Sequence, residues 1–149
     1  MLPMINRNCM IRENEPLNKA EIIEKMVNVF HTEGYLNDRD LFHKDILARE
    51  EVFSTYIGYG IGLPHGKSDA VKDAGIAVAK LKHPVTWNEA SGESVDLILM
   101  IAVKAGEGND LHLQVISKLS RLLMHEDFRD QLKNGDLDEL HAVLTEKLS

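Results

Sequence analysis

Cysteine, aromatic residues and positive charge are all scarce in this chain, and each scarcity narrows what it can be. Cys9 is the single cysteine among 149 residues. No internal disulfide can form, and a reducing, cytoplasmic compartment is the expected home. Lys and Arg number 17 against 24 Asp and Glu, a formal net charge of −7 with a pI near 5.4. Phosphate backbones want clustered cations, so no nucleic-acid partner is expected. No apolar run approaches the roughly 18 residues needed to span a bilayer. The first ten residues lack the charged start and apolar stretch of a secretory signal. His31, His43, His83, His125 and His141 share neither a metal spacing nor a helix face, and no H-E-x-x-H or Cys/His grid is present. No metal or other cofactor is expected. A G-x-S-x-G elbow is missing too, which removes the usual serine-hydrolase logic.

What remains is an ordinary globular composition, 44% hydrophobic and 28% charged. Its length suits one domain over 1–149, burying about 70% of the surface its unfolded chain exposes. Residues 1–14 read as an irregular lead-in, with room for a short strand near Met10 and Ile11. Asn18 and Glu21 form a capping box that opens a helix carrying Ile22, Ile23, Met26, Val27 and Phe30 on one side, closed by Gly34. A second helix from Asn37 or Asp38 to about Glu51 is expected to bury Leu41, Phe42, Ile46 and Leu47. Gly75–Leu81 and Val95–Val103 read as strands, the latter apolar enough to be covered on both faces. Pro84 and Trp87 mark a bend between them. A helix follows the 105–110 loop with Val115, Ile116, Leu119, Leu122 and Leu123 inward. Two shorter helices separated at Asn134-Gly135 close the chain, the last with a capping box of Asp136 and Glu139. Strands interleaved with helices around a doubly buried strand give an α/β layered sandwich.

The chemistry concentrates in Gly60-Ile61-Gly62-Leu63-Pro64-His65-Gly66. Pro64 fixes its own φ near −65° and biases Leu63 toward an extended conformation. Gly66 can adopt backbone angles closed to other residues and leaves room beside the ring. His65 is thereby held rigidly at a loop apex, and we read it as a nucleophile. A nucleotide loop does not fit: a Walker motif ending at Gly66-Lys67-Ser68 would need glycine where Ile61 stands, and G-x-G-x-x-G fails at Leu63 and His65. His112 falls in the first turn of the helix after the apolar strand, where helix N–H groups favour anions. It can meet a phosphate or a second histidine there, or simply satisfy a backbone carbonyl. Arg49 suits a helix C-terminus and equally suits a phosphoryl group. Lys67 is a similar cation or a solvated one. Ser54 and Thr55 can donate hydroxyls or form turns. Cys9 reads as a buried or tolerated thiol.

Arg49-Glu50, Ser54-Thr55, Ile57-Gly58, Gly60-Ile61 and Pro64-His65-Gly66-Lys67 together resemble the signature of fructose/mannitol-type IIA domains of the bacterial phosphoenolpyruvate-dependent sugar phosphotransferase system. The resemblance continues through Ser68-Asp69-Ala70-Val71, Trp87 and His112-Leu113, covering about residues 15–149. It implies a mixed β-sheet flanked by helices on both faces. It also implies that His65 accepts a phosphoryl group on Nε2 from an HPr-like phosphocarrier and passes it to a cysteine of a separate IIB component, itself linked to the membrane through IIC. His112 would then hydrogen-bond the phosphoryl oxygens or orient His65, and Arg49 would offset the charge, with Ser54, Thr55, Gly66 and Lys67 supporting the loop. Tyr59 departs from the small polar or acidic residue usual in relatives. With no IIB-like loop and no transport helices, a freestanding IIA unit is expected. The alternative is the nitrogen-related IIA branch, which acts by phosphorylation-dependent protein binding.

Overall fold

Glu93–Lys104, the apolar strand, lies in the middle of a mixed six-stranded sheet, and every other element is placed by it. The computed structural model describes residues 1–52, 54–106 and 109–148, and only the backbone of residues 109–112. In chain order its elements are β1 (Ile5–Glu13), α1 (Lys19–Thr32), α2 (Arg39–Val52), β2 (Tyr56–Gly58), β3 (Ile61–Gly62), β4 (His65–Ser68), β5 (Gly75–Asn88), β6 (Glu93–Lys104), α3 (Asn109–Leu122), α4 (Glu126–Asn134) and α5 (Leu137–Leu148). The sheet runs β1-β5-β6-β3-β2, with β4 also paired to β6. β1 is parallel to β5, β5 and β6 form an antiparallel hairpin, and β3 and β4 run parallel to β6.

Alternation along β6 divides the core. Ile98, Met100 and Ala102 pack with Ile22, Ile23, Met26, Phe30, Phe42 and Ile46 of α1 and α2. Leu97, Leu99, Ile101 and Val103 pack with Leu119, Phe128, Leu132, Leu140 and Leu144 of α3 to α5. A strand covered on both faces has no polar side to offer, which is why this segment is apolar throughout. The expected layered sandwich is what forms. The capping box at Asn18 and Glu21 is made in both directions, at 2.8 and 2.9 Å. So is that at Asp136 and Glu139. Gly34 takes φ +86° just past α1.

Four expectations need correction. The irregular lead-in is instead the strand β1, whose alternation is broken by a register shift between Ile5 and Met10. A bulged edge strand shows no clean period of two. β5 does not stop at Leu81 but continues through Pro84 and Trp87 to Asn88; a register shift between Lys80 and Val85 accommodates the exposed Pro84. Leu41 is 37% exposed and Leu47 only partly buried, so α2 buries a narrower stripe than its apolar residues suggest. His65 stands at the head of a strand rather than at a loop apex. Cys9 is buried, and desolvation pushes its thiol up to about 12, so the thiolate is absent at neutral pH.

Two features yield tests of this packing. A Cβ on Gly75 would come within 2.8 Å of the Tyr35 ring and 3.2 Å of Phe30, and both rings are fully buried. Gly75→Ala is expected to cost about 1–3 kcal/mol by overpacking, lowering the thermal midpoint by roughly 3–10 °C; an unchanged midpoint would refute the close approach. Glu13, nearly covered at the end of β1, accepts from Lys25 of α1 and from the Glu15 amide, which holds its carboxyl below the ordinary range. A depressed carboxyl stabilises the fold above its unfolded value, about 4.3, and that contribution is lost as pH falls through the lower folded value. Urea unfolding should therefore find Lys25→Met less stable than the parent at pH 7, with the gap closing under acid. A gap that widens in acid contradicts the pairing.

Candidate functional site

The segment from Ile61 to Ser68 is one strand interrupted at Leu63-Pro64. Ile61 lies opposite Leu97 and His65 opposite Ile101, so the register against β6 is identical on both sides of the break. Pro64 still supplies its carbonyl, which accepts the Ile101 N–H at 2.9 Å, but it has no N–H to give back. The peptide of Leu63 faces the other way. Its N–H donates to the Thr55 carbonyl at 3.0 Å, and its carbonyl accepts from Nδ1 of His65 at 2.8 Å.

That last contact sets the chemistry. A carbonyl oxygen can only accept, so Nδ1 must carry the proton. In the neutral ring Nε2 is then left with its lone pair. His65 is half-buried, so the ring is anchored through one nitrogen while the residue remains partly open to solvent.

Alternation decides which layer the ring belongs to. Ile61 and Leu63 point into the α3–α5 side, and His65 shares their face. Gly62 and Gly66 face the opposite layer. A Cβ on Gly62 would meet the Trp87 indole at 3.0 Å, and one on Gly66 would meet Ile46 of α2 at 2.9 Å. Gly66 therefore serves by its lack of bulk, since it lies in a strand and not among the positive-φ residues. This corrects the expectation of an unusual backbone angle there.

The remaining candidates are distributed around this strand. Lys67 is exposed on β4, two residues on from His65. Arg49, half-buried, is in the last turn of α2, one turn beyond the Ile46 that packs on Gly66. α2 packs against Gly66 on the face opposite the His65 ring, and β4 itself is paired with β6. Ser68 Oγ donates to Asp45 Oδ2 of α2 at 2.6 Å and accepts the Ala70 N–H at 3.1 Å, locking the strand end to that helix. Ser54 Oγ accepts the Tyr56 N–H at 3.1 Å in a local turn. Thr55 is buried, and its Oγ1 accepts the Trp87 Nε1–H at 3.1 Å. His112 belongs to the first turn of α3, on the sheet face that His65 shares; its side chain lies outside the described residues.

Tyr59 sits away from this cluster, in the β2–β3 turn at the other end of β3. It adopts φ 58°, the Arg129 guanidinium lies 3.6 Å from its ring centre, and Lys133 donates to its carbonyl while pairing with Asp96 at 2.9 Å. Sequence reasoning passed over the Leu63 carbonyl and the Trp87–Thr55 bond. Pro64 beside a histidine was the one available signal for the first. The second joins residues 32 positions apart and leaves no local pattern.

The sequence matches the family model described as phosphoenolpyruvate-dependent sugar phosphotransferase system, EIIA 2, over residues 3–147. Among curated relatives, the fructose-specific EIIA component of Haloferax volcanii is 38% identical over 124 residues, covering 83% of this chain and 80% of that protein. Multiphosphoryl transfer protein 2 of Escherichia coli is 30% identical over 98% of this chain, which spans only 17% of that longer protein. Two solved structures share the fold. Nitrogen regulatory protein IIA-Ntr from Neisseria meningitidis superposes with a TM-score of 0.82 at 25% identity, over 95% of this chain and 96% of that one. The mannitol IIA of Escherichia coli gives 0.75 at 25% identity, over 93% and 96%. With the broken strand, its histidine and the layered sheet in place, the chain belongs to the type 2 EIIA family of the phosphoenolpyruvate-dependent sugar phosphotransferase system.

Proposed function

We propose that this protein is a phosphocarrier in sugar uptake, with His65 as the covalent intermediate. The carrying observation is the hydrogen bond from His65 Nδ1 to the Leu63 carbonyl, which leaves Nε2 as the attacking atom. Nε2 attacks the phosphorus of a phosphohistidine on an HPr-like carrier. The donor's P–N bond breaks, and its electron pair returns to the donor imidazole. Phosphorylated His65 then bears N–H at Nδ1 and phosphorus at Nε2, and so a formal positive charge on the ring. The Leu63 carbonyl dipole stabilises that charge through a charge-assisted bond. In the second half, a cysteine thiolate of a IIB component attacks phosphorus and the pair returns to Nε2. Both transfers exchange one P–N or P–S bond for another, so positioning and charge stabilisation carry the catalysis.

Arg49, in the last turn of α2, would offset the phosphoryl charge, and His112 at the start of α3 would hydrogen-bond its oxygens. Lys67 adds a cation on the same strand. The protein would work in the cytoplasm, with IIB and the membrane component IIC as separate partners. Support comes from the fructose-specific relative and from the absence, among the described residues, of any helix long and apolar enough to cross a membrane. The second reading is a regulatory protein of the nitrogen type, favoured by the 0.82 superposition on IIA-Ntr.

The test is phosphoryl flow. Incubated with labelled phosphoenolpyruvate, the general phosphotransferases and candidate IIB domains, the chain should take label at His65 and pass it to a IIB cysteine. His65→Ala should take none. Label that stays on His65 with every IIB selects the regulatory reading, and label persisting in His65→Ala defeats both.

A further inference from the structure

Trp87 is 2% exposed and 22 residues beyond His65 in the chain, yet it touches the strand that carries the histidine at Gly62 and is joined to it again through Thr55. Its indole edge lies against Gly62, where an added Cβ would come within 3.0 Å. Its Nε1–H donates to Thr55 Oγ1 at 3.1 Å. Thr55 in turn accepts the Leu63 N–H on its backbone carbonyl at 3.0 Å, and the same Leu63 peptide plane is followed by the carbonyl that receives His65 Nδ1 at 2.8 Å. The indole is itself fixed from behind. Lys19 of α1 lies 4.5 Å from its ring centre, donates to its carbonyl at 2.9 Å, and pairs at 2.7 Å with Glu50, whose side chain is 6% exposed.

We infer that Trp87 is a positioning residue for His65: its indole N–H, acting through Thr55, holds the Leu63 carbonyl where it selects the Nδ1–H tautomer and leaves Nε2 as nucleophile. A tautomer is set by the partner of the other ring nitrogen, and that partner here is a backbone atom with only as much precision as its supports. Thr55 and Trp87 supply the support that Pro64 removes from the β6 ladder. Thr55 thus acts from beneath the site, and its hydroxyl oxygen is committed to the indole. The kinetic consequence rests on the reading of His65 as phosphoryl acceptor, whereas the tautomer itself does not.

The experiment uses the whole chain with 15N-labelled histidine. At a pH where the ring is neutral, the parent should show His65 as the Nδ1–H form. Trp87→Phe loses the donor together with the indole atoms that lie against Gly62; Thr55→Val keeps the shape and the indole packing and loses only the acceptor. Both should shift His65 toward a mixture of tautomers and slow phosphoryl acceptance on the order of tenfold, the scale of an indirect hydrogen-bond partner. KM for the donor protein should hold, because both residues are buried. Thr55→Ser should restore parental behaviour, and the double variant should be no worse than either single one. Unchanged tautomer and rate in folded Trp87→Phe and Thr55→Val overturn the inference. So does a failure of Thr55→Ser to rescue, or an Nε2–H ring in the parent, which judges the idea even if the variants do not fold. A parent that takes no phosphate, with the tautomer shift still seen in the variants, sinks the phosphocarrier reading and leaves the positioning intact.

Discussion

The bond between His65 Nδ1 and the carbonyl two residues before it joins the fold to the chemistry. An imidazole free to turn would expose either nitrogen and spend its time in several rotamers. Tied at 2.8 Å to an oxygen that can only accept, it is reduced to one tautomer and one narrow set of orientations. Pro64 makes this possible by its place in the strand. It keeps its carbonyl in the ladder to Ile101 but interrupts pairing where an unbroken strand would have continued past Leu63. The histidine then takes up the carbonyl left on the outer side.

Everything around that bond serves to keep the strand still. β6 grips it on one edge with the same register before and after the break. Trp87 fills the space beside Gly62, and Ile46 fills that beside Gly66, each possible only because a side chain is missing. Ser68 ties the far end to Asp45 of α2. The two core clusters pack on β6 from both faces, so the strand beside His65 rests on a close-packed core. A reacting group placed at the head of such a strand loses little of its position to loop motion.

Much of this was legible from the residues. α1 announced itself because its capping box and its five buried positions obey a local rule, period and cap within fourteen residues. The burial of β6 on both faces followed from the absence of polar alternation, and the type 2 EIIA resemblance rested on the run from Arg49 to Lys67, which the family match over 3–147 bears out. Only the part of β1 around Met10 and Ile11 was legible, because a register shift between Ile5 and Met10 breaks the alternation along the rest of this edge strand. The β4 strand escaped because glycine, proline and lysine argue for a turn when β6 is out of view. A backbone carbonyl has no letter in the sequence, so the partner of His65 Nδ1 could not be read there at all. The Thr55 hydroxyl was readable as a residue type, but its commitment to an indole 32 positions away depends on how β5 folds past Pro84.

The most direct measurement of the central claim is the identity of the phosphorylated nitrogen. With the chain phosphorylated in the presence of its donor system and labelled with 15N in histidine, coupling to 31P should appear at Nε2 of His65 while Nδ1 keeps its proton. Phosphorus found on Nδ1 would mean that the Leu63 carbonyl does not hold the ring during reaction, and the account built on that bond would fall.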